Sequence, residues 1–190
     1  MDDQTVTQTE DGVIGQGLSV EAPSAAAVQA LTESYPTLLA YCDDVATWNT
    51  AWASLESSVL TLVNQKRAAG ATCGGVRKAP VAALTLDTRL RCAARKHSKD
   101  MGTNNFFNHT GSNGSTFDKR ITAAGYTWTG AGENIAAGQA TAAAVMTSWM
   151  NSTGHCNNIM NGTFKQIGIG YYYSATATYK HYWTQDFAKP

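Results

Sequence analysis

Residues 164–187 read FKQIGIGYYYSATATYKHYWTQDF and carry the strongest strand signal in the chain. Two runs of aromatic and β-branched residues, from Phe164 to Tyr171 and from Tyr179 to Phe187, flank a polar stretch. β-Branched and aromatic side chains favour strands, and small polar residues favour the turn between them. The segment therefore predicts an antiparallel β-hairpin.

A third strand is predicted upstream of this hairpin, from Glu133 to Ala136. It is framed by Gly130, Gly132 and Gly138. Glycines in and around a strand often mark places where another backbone approaches closely. The three strands together predict a small central sheet.

Three amphipathic helices are predicted in the second half of the chain. Each follows a residue that commonly caps helix N-termini, and each shows apolar side chains at spacings of three and four. The helices are expected to begin at Asp87, Ser115 and Thr141, and the first two to end at Gly102 and Gly125.

A fourth predicted helix rests on the apolar series between Val45 and Val63. The pattern leaves open whether this is one long helix or two, broken near Ser54. It is expected to end at Gly70, because glycine is a common residue just past a helix C-terminus. About four helices around a small antiparallel sheet predict an α+β domain of three layers.

The N-terminal part of the chain is expected to lie outside this domain. Residues 1–23 are polar and lack periodicity, which predicts a flexible arm. Residues 24–53 are interpreted as a helical extension, in which Ser24 caps a short helix that Pro36 stops. The functional domain is expected over residues 54–190.

Composition excludes two classes of partner. Charged residues make up only 15% of the chain and the formal net charge is +0, which argues against nucleic acid. No run of about 18 apolar residues occurs, so no membrane-spanning helix is expected. Abundant serine, threonine, asparagine and glycine, together with four cysteines, predict a secreted protein whose signal peptide is absent from this sequence.

The four cysteines allow three disulfide pairings, and their wide separation matches no zinc site of the CxxC type. We favour a bridge from Cys73 to Cys92 and a second from Cys42 to Cys156. The second bridge would restrict the loop that carries His155.

Three short segments place a histidine or a glutamate beside glycine or turn residues: FNHTG around His109, GEN around Glu133 and TGHC around His155. Such a set could hold a divalent ion with open positions, share protons as an acid-base group, or form only a structural hydrogen-bond network. The residues alone leave these alternatives open. His97, on the inner face of a predicted helix, is expected to be a buried core residue.

Six motifs follow one another in order along the chain. They are HS at 97–98, FFNH at 106–109, GENIA at 132–136, WMNSTGH at 149–155, IGIG at 167–170 and YWTQDF at 182–187. This set resembles the CAP superfamily of cysteine-rich secretory proteins, antigen 5 and pathogenesis-related proteins of class 1, with the spacing of its bacterial branch. The resemblance covers about Leu55 to Phe187. It implies an α-β-α sandwich, secretion, and a central cleft in which two histidines and two glutamates can bind a divalent metal, usually zinc.

His109, Glu133 and His155 match three of these four positions. The resemblance puts the second glutamate three residues after a tryptophan, where this chain has Ser152 after Trp149. Loss of one carboxylate lowers the negative charge of the site, so zinc is expected to bind less tightly. Ser152 could instead form a Ser-His-Glu set with His155 and Glu133.

We therefore expect a secreted domain that binds an extracellular small molecule, lipid, peptide or cell-wall component in this cleft, with zinc as the expected metal. The alternative is a secreted hydrolase acting on peptide or cell-wall material. It would use His109, Glu133 and His155 as acid, base or metal ligands, with Ser152 as a candidate nucleophile. A third interpretation is a structural domain in which these residues only stabilise the fold.

Overall fold

A computed structural model describes residues 7–9, 12–15, 17–21 and 38–190 of the protein. Within these ranges the strands are β1 Thr7–Thr9, β2 Gly12–Ile14, β3 Leu18–Glu21, β4 Ala71–Cys73, β5 Val76–Lys78, β6 Thr85–Leu86, β7 Gly130–Ala137, β8 Gln166–Tyr173 and β9 His181–Lys189. The helices are α1 Leu38–Ala46, α2 Thr50–Ala69, α3 Thr88–Asn104, α4 Phe117–Ala123, α5 Ala142–Asn151 and α6 Thr153–Ile159.

The centre of the main sheet is β9, which pairs antiparallel with β7 on one side and with β8 on the other. The predicted hairpin and the predicted third strand are therefore confirmed. β6 adds a short parallel pairing at the start of β8. On the far side, β2 and β3 both pair with the outer edge of β7, and β1 pairs with β2.

Strands β1 to β3 fall within the segment for which the sequence predicts an arm. Their composition gives no strand signal, because β2 and β3 join the sheet through backbone pairing with β7, and β1 through pairing with β2. The short helix expected between Ser24 and Pro36 lies outside the described residues.

Helices cover both faces of the sheet, which confirms the three-layer α+β architecture. On one face, α1, α3 and α4 pack against β7 and β9. On the other, α2, α5 and α6 enclose the largest part of the core, which includes Trp149, Trp183 and Phe187. Six helices occur in the described ranges, compared with about four predicted. None of them is long and apolar enough to cross a lipid bilayer.

The apolar series from Val45 to Val63 forms two helices, α1 and α2. The break lies at Asn49 and not near Ser54, because the Asn49 side chain accepts hydrogen bonds from the first backbone N–H groups of α2. Gly70 follows the last residue of α2, as predicted.

Helix α3 begins after Asp87, whose carboxylate caps it as predicted. It continues past Gly102 to Asn104, so the predicted end is wrong by two residues. Gly102 has a packing role, because a Cβ at that position would lie 2.5 Å from a ring carbon of Tyr172. Thr141 caps α5 as predicted.

Both predicted disulfide pairs are wrong. The bridges join Cys42 to Cys92 and Cys73 to Cys156. Cys42 lies on α1 and Cys92 on α3, in the same layer, whereas β4 and α6 carry Cys73 and Cys156 beside the opposite face of the sheet. A bridge from Cys73 to Cys92 would have to cross the sheet.

Candidate functional site

Glu133 lies in the middle of β7 on the face covered by α3 and α4, and its side chain is 0% exposed. One carboxylate oxygen accepts a hydrogen bond of 2.7 Å from His109 Nδ1, and the other accepts one of 2.7 Å from Arg120 Nη2. Arg120 Nη2 also donates to the backbone oxygen of His109 at 3.0 Å. The three residues thus form a closed, buried group in which both Glu133 oxygens are engaged.

Electrostatics keep Glu133 ionised. Burial alone would raise the pKa of its carboxyl group, but the Arg120 charge and the hydrogen bond from His109 outweigh burial and hold the pKa well below its ordinary value. Glu133 and Asp186 in turn raise the pKa of Arg120. Because the Glu133 oxygens can only accept, His109 Nδ1 carries a proton and donates it.

Asp186 lies directly opposite Glu133 in the register of β9 and β7, and it is equally buried. Burial and the neighbouring Glu133 charge raise the pKa of Asp186 well above its ordinary value, although Arg120 opposes them. The pKa values of the two carboxyl groups are therefore shifted in opposite directions. Glu133 favours the charged form and Asp186 the neutral form.

His97 fixes the loop that carries His109. It is buried on α3, and its Nε2 donates to the backbone oxygen of Asn108 at 2.9 Å. Burial and the nearby Arg120 charge lower the pKa of His97 to about 3. The prediction of a buried core histidine is confirmed.

His155 lies on α6, at the opposite side of β7. Its backbone oxygen accepts a hydrogen bond of 3.3 Å from Asn134 Nδ2, and successive residues of a strand point to opposite faces. The structure therefore brings His109 and Glu133 into direct contact and places His155 across the outer edge of β7 from them. We name this edge of β7, with the buried His109 and His155 on either side and β2 and β3 paired along it, the β7-edge cleft.

Ser152 stands between α5 and α6, where its backbone N–H donates to the Trp149 oxygen at 3.2 Å. It makes no side-chain capping hydrogen bond to α6. The Glu133 carboxylate bonds to His109 and Arg120, and Ser152 is not among its hydrogen-bond partners.

Within the described ranges, no group of three or more histidine, cysteine, aspartate or glutamate side chains is arranged to hold a metal ion. Both Glu133 oxygens are already bonded to N–H donors, so Glu133 does not fit as a direct ligand in this arrangement. It fits as the outer partner of a ligating histidine, because it holds the His109 ring at Nδ1. Zinc binding by His109, Glu133 and His155 stays a prediction.

The sequence patterns did not identify Arg120 and Asp186 as residues of the site. Arg120 shares an inward face of α4 with Phe117 and Ile121, a position where a basic residue needs a buried partner. Asp186 lies on the same face of β9 as the buried Thr184 and Ala188. A charged residue at an inward position was the available signal in both cases.

Comparison with known proteins places these features in a family. The model of the cysteine-rich secretory protein family, CAP, matches residues 60–187. The YkwD protein of Bacillus subtilis (strain 168) is 33% identical over 180 residues, an alignment that covers 94% of this chain and 59% of that protein. The chain thus spans about three fifths of the length of this relative.

Two solved structures share the fold. An extracellular protein containing a SCP domain from Bacillus anthracis has a TM-score of 0.61 at 22% identity, covering 98% of this chain and 60% of that one. An outer surface protein of Borrelia burgdorferi has a TM-score of 0.56 at 20% identity, covering 72% of this chain and 90% of that one. With the family model matching most of its length, the chain belongs to the CAP family, the cysteine-rich secretory protein family.

Proposed function

We propose that this chain is an extracellular CAP domain that binds a ligand in the β7-edge cleft. The observation that carries the proposal is the buried group of Arg120, Glu133 and His109. Buried ion pairs seldom stabilise a fold more than apolar packing would, and carboxyl groups with strongly shifted pKa values concentrate at functional sites. The shifted pKa values of Glu133 and Asp186 support binding in this cleft over a purely structural role.

The two histidines at this edge suit a ligand that contains a metal ion. Glu133 fixes the orientation of the His109 ring, whose Nε2 lies on the side of Gly15, 3.3 Å from the position of an added Cβ. A zinc ion would supply a Lewis-acidic centre there, with His109 and His155 as the residues that hold it.

Two features support an extracellular location. Both pairs of cysteines are bonded, and disulfides persist in oxidising compartments. The structural relative from Bacillus anthracis is described as an extracellular protein.

A hydrolase acting on peptide or cell-wall material is the second candidate. The hydrogen bond from His109 Nδ1 to a buried carboxylate favours it, because the same arrangement orients histidines that act as acid or base. Glu133 itself is a weak base, since its pKa is lowered, so His109 would be the group that takes up the proton.

The four histidines of the chain allow a direct test of binding, because their ring signals can be resolved by NMR. The probes are peptidoglycan fragments released by a muramidase and, separately, Zn²⁺. We expect the ring signals of His109 and His155 to shift. The signal of His181, which is hydrogen-bonded to the Tyr171 hydroxyl, should stay unchanged. If neither probe moves the His109 or His155 signals, binding of cell-wall fragments or zinc in this cleft is contradicted.

Glu133→Gln separates the two candidate functions. In a hydrolase the variant should lose release of soluble fragments from peptidoglycan, measured by chromatography. In a binding domain neither the wild type nor the variant releases fragments, and Glu133→Gln changes the His109 response to the probes in addition to its stability.

A further inference from the structure

The β7-edge cleft is occupied by the chain itself. β2 pairs with residues 136–137 of β7, and β3 pairs with residues 130–133. Between them the Gly15 N–H donates to the Ile135 oxygen at 3.3 Å. We name residues 12–15 and 17–21 the N-terminal strap. It runs antiparallel to β7 along the edge that His109 and His155 flank.

The strap carries a β-bulge where it passes the two histidines. Ile14 pairs with Ala136 and Leu18 with Glu133, so four residue steps along the strap match three along β7. An extra residue in one strand turns the following side-chain positions towards the other face of the sheet. Gly15 and Gly17 consequently approach opposite sides of the cleft.

Neither glycine leaves room for a side chain. A Cβ at Gly15 would lie 2.9 Å from Ile135 Cγ1 and 3.3 Å from His109 Nε2. A Cβ at Gly17 would lie 2.6 Å from the carbonyl carbon of Gly154 and 2.7 Å from the backbone nitrogen of His155. The obstructing atoms at Gly17 belong to the backbone of α6, which cannot rotate away as a side chain can. The cleft thus selects glycine at two positions separated by one residue.

The strap is held mainly by its backbone. Asn158 Nδ2 donates to the Leu18 oxygen at 2.9 Å, and the same side chain is oriented by a 2.9 Å hydrogen bond to Asn134 Oδ1. The side chains of Ser19, Val20 and Glu21 are exposed. Recognition through main-chain hydrogen bonds, with specificity from small pockets, is the pattern by which sheet edges bind extended peptides. Leu18 packs against the core, but the exposed residues 19–21 bury little apolar surface, and such segments open at low free-energy cost.

We propose that the cleft binds an extended peptide containing Gly-x-Gly, and that the N-terminal strap is an internal substitute for this ligand which must leave before the ligand enters. The inference rests on the proposed function, because it names the ligand class of the same cleft. The bound peptide lies antiparallel to β7, donates a backbone N–H to the Ile135 oxygen and accepts a hydrogen bond from Asn158.

The test uses the full chain and a labelled synthetic peptide, GVIGQGLSVE, which copies residues 12–21. Gly17→Val should expel the strap, because no side chain fits at that position. We expect fluorescence anisotropy to show at least tenfold tighter binding to the Gly17→Val protein than to the wild type. A peptide carrying valine in place of its second inner glycine, GVIGQVLSVE, should bind neither protein. Ser19→Val, an exposed position of the same strap, is the matched control and should behave as the wild type.

A second measurement uses the wild type alone, in case Gly17→Val fails to fold. Excess unlabelled GVIGQGLSVE should accelerate hydrogen exchange in residues 17–21, because the displaced strap loses its pairing with β7. The inference would be overturned if hydrogen exchange stayed unchanged and if the wild type and Gly17→Val bound the peptide equally or not at all. The strap would then be a permanent strand. If His109 and His155 still respond to peptidoglycan fragments or Zn²⁺ in that case, the proposed function stands and only its ligand class fails.

Discussion

His109 Nδ1 lies 2.7 Å from Glu133 Oε1, and this hydrogen bond joins the loop after α3 to the middle of β7. The other Glu133 oxygen balances the charge of Arg120, which is only 3% exposed. The carboxylate therefore has two separable tasks, orienting a ring at the cleft and neutralising a buried guanidinium. Removing its charge should affect both.

We expect Glu133→Gln to lower the free energy of unfolding by about 3–5 kcal/mol, the usual cost of leaving a buried charge without its partner. The measurement is urea unfolding of Glu133→Gln, Arg120→Met and the double variant. Because the cost comes from the unpaired charge, the double variant should lose clearly less than the sum of the two single losses. Additive losses would mean that the pair does not act as a unit.

The loss of stability at acidic pH should depend on His97. Its pKa is lowered to about 3 in the folded protein, while an unfolded chain takes up the proton near pH 6.5. Between these values the unfolded state binds more protons, so stability falls as the pH falls. We expect the wild type to lose about 2 kcal/mol relative to His97→Gln between pH 7 and pH 5, since glutamine keeps an N–H donor for Asn108 without titrating.

Asp186→Asn supplies the control of opposite sign. The pKa of Asp186 is raised, so above its ordinary value the unfolded chain releases a proton that the folded protein retains. The contribution of Asp186 to stability therefore falls as the pH rises. The free energy of unfolding of Asp186→Asn should consequently increase relative to that of the wild type as the pH rises. Chemical unfolding across the pH range measures both variants. Parallel profiles for the wild type and His97→Gln would refute the assignment to His97.

The sequence predicted those elements whose signal is local. The hairpin of β8 and β9, β7, and the caps of α3 and α5 all follow from strand composition or from an N-cap residue. α6 escaped prediction because residues 153–159 contain a glycine and two asparagines, which are poor helix formers. It is held by tertiary contacts instead, through the Cys156 disulfide and the buried Ile159.

Non-local partners account for the remaining differences. The motif order was enough to predict contact between His109 and Glu133, but it named no partner for the other Glu133 oxygen, because Arg120 belongs to none of the motifs. The disulfide pairing and strands β1 to β3 depend on which face or edge of the sheet a segment reaches, and no pattern within the segment records this. Gly15 and Gly17 gave no signal for the same reason.

The IGIG motif should prove structural. A Cβ at Gly170 would lie 2.3–2.4 Å from backbone atoms of Ala94 and Arg95, so α3 can pack on β8 only if this position is glycine. We expect Gly170→Ala to cost about 3 kcal/mol or more, because backbone atoms cannot yield as side chains do. Gly130→Ala, where the nearest atom is 4.0 Å away, is the matched control and should change stability by less than about 1 kcal/mol. Equal losses in thermal unfolding would contradict this account of the motif.

The Cys73–Cys156 bridge should control the mobility of α6, which carries His155. It ties the β4–β5 hairpin to that helix and closes 83 residues of sequence, whereas Cys42–Cys92 closes 50 in the opposite layer. Replacing either pair by alanine should cost about 2–5 kcal/mol, with little difference between them because the entropy of loop closure grows slowly with length. Only loss of Cys73–Cys156 should accelerate hydrogen exchange in α6 and broaden the His155 ring signal, since only that bridge anchors the helix. If loss of Cys42–Cys92 accelerated exchange in α6 to the same degree, the effect would reflect general destabilisation and not a tether beside the β7-edge cleft.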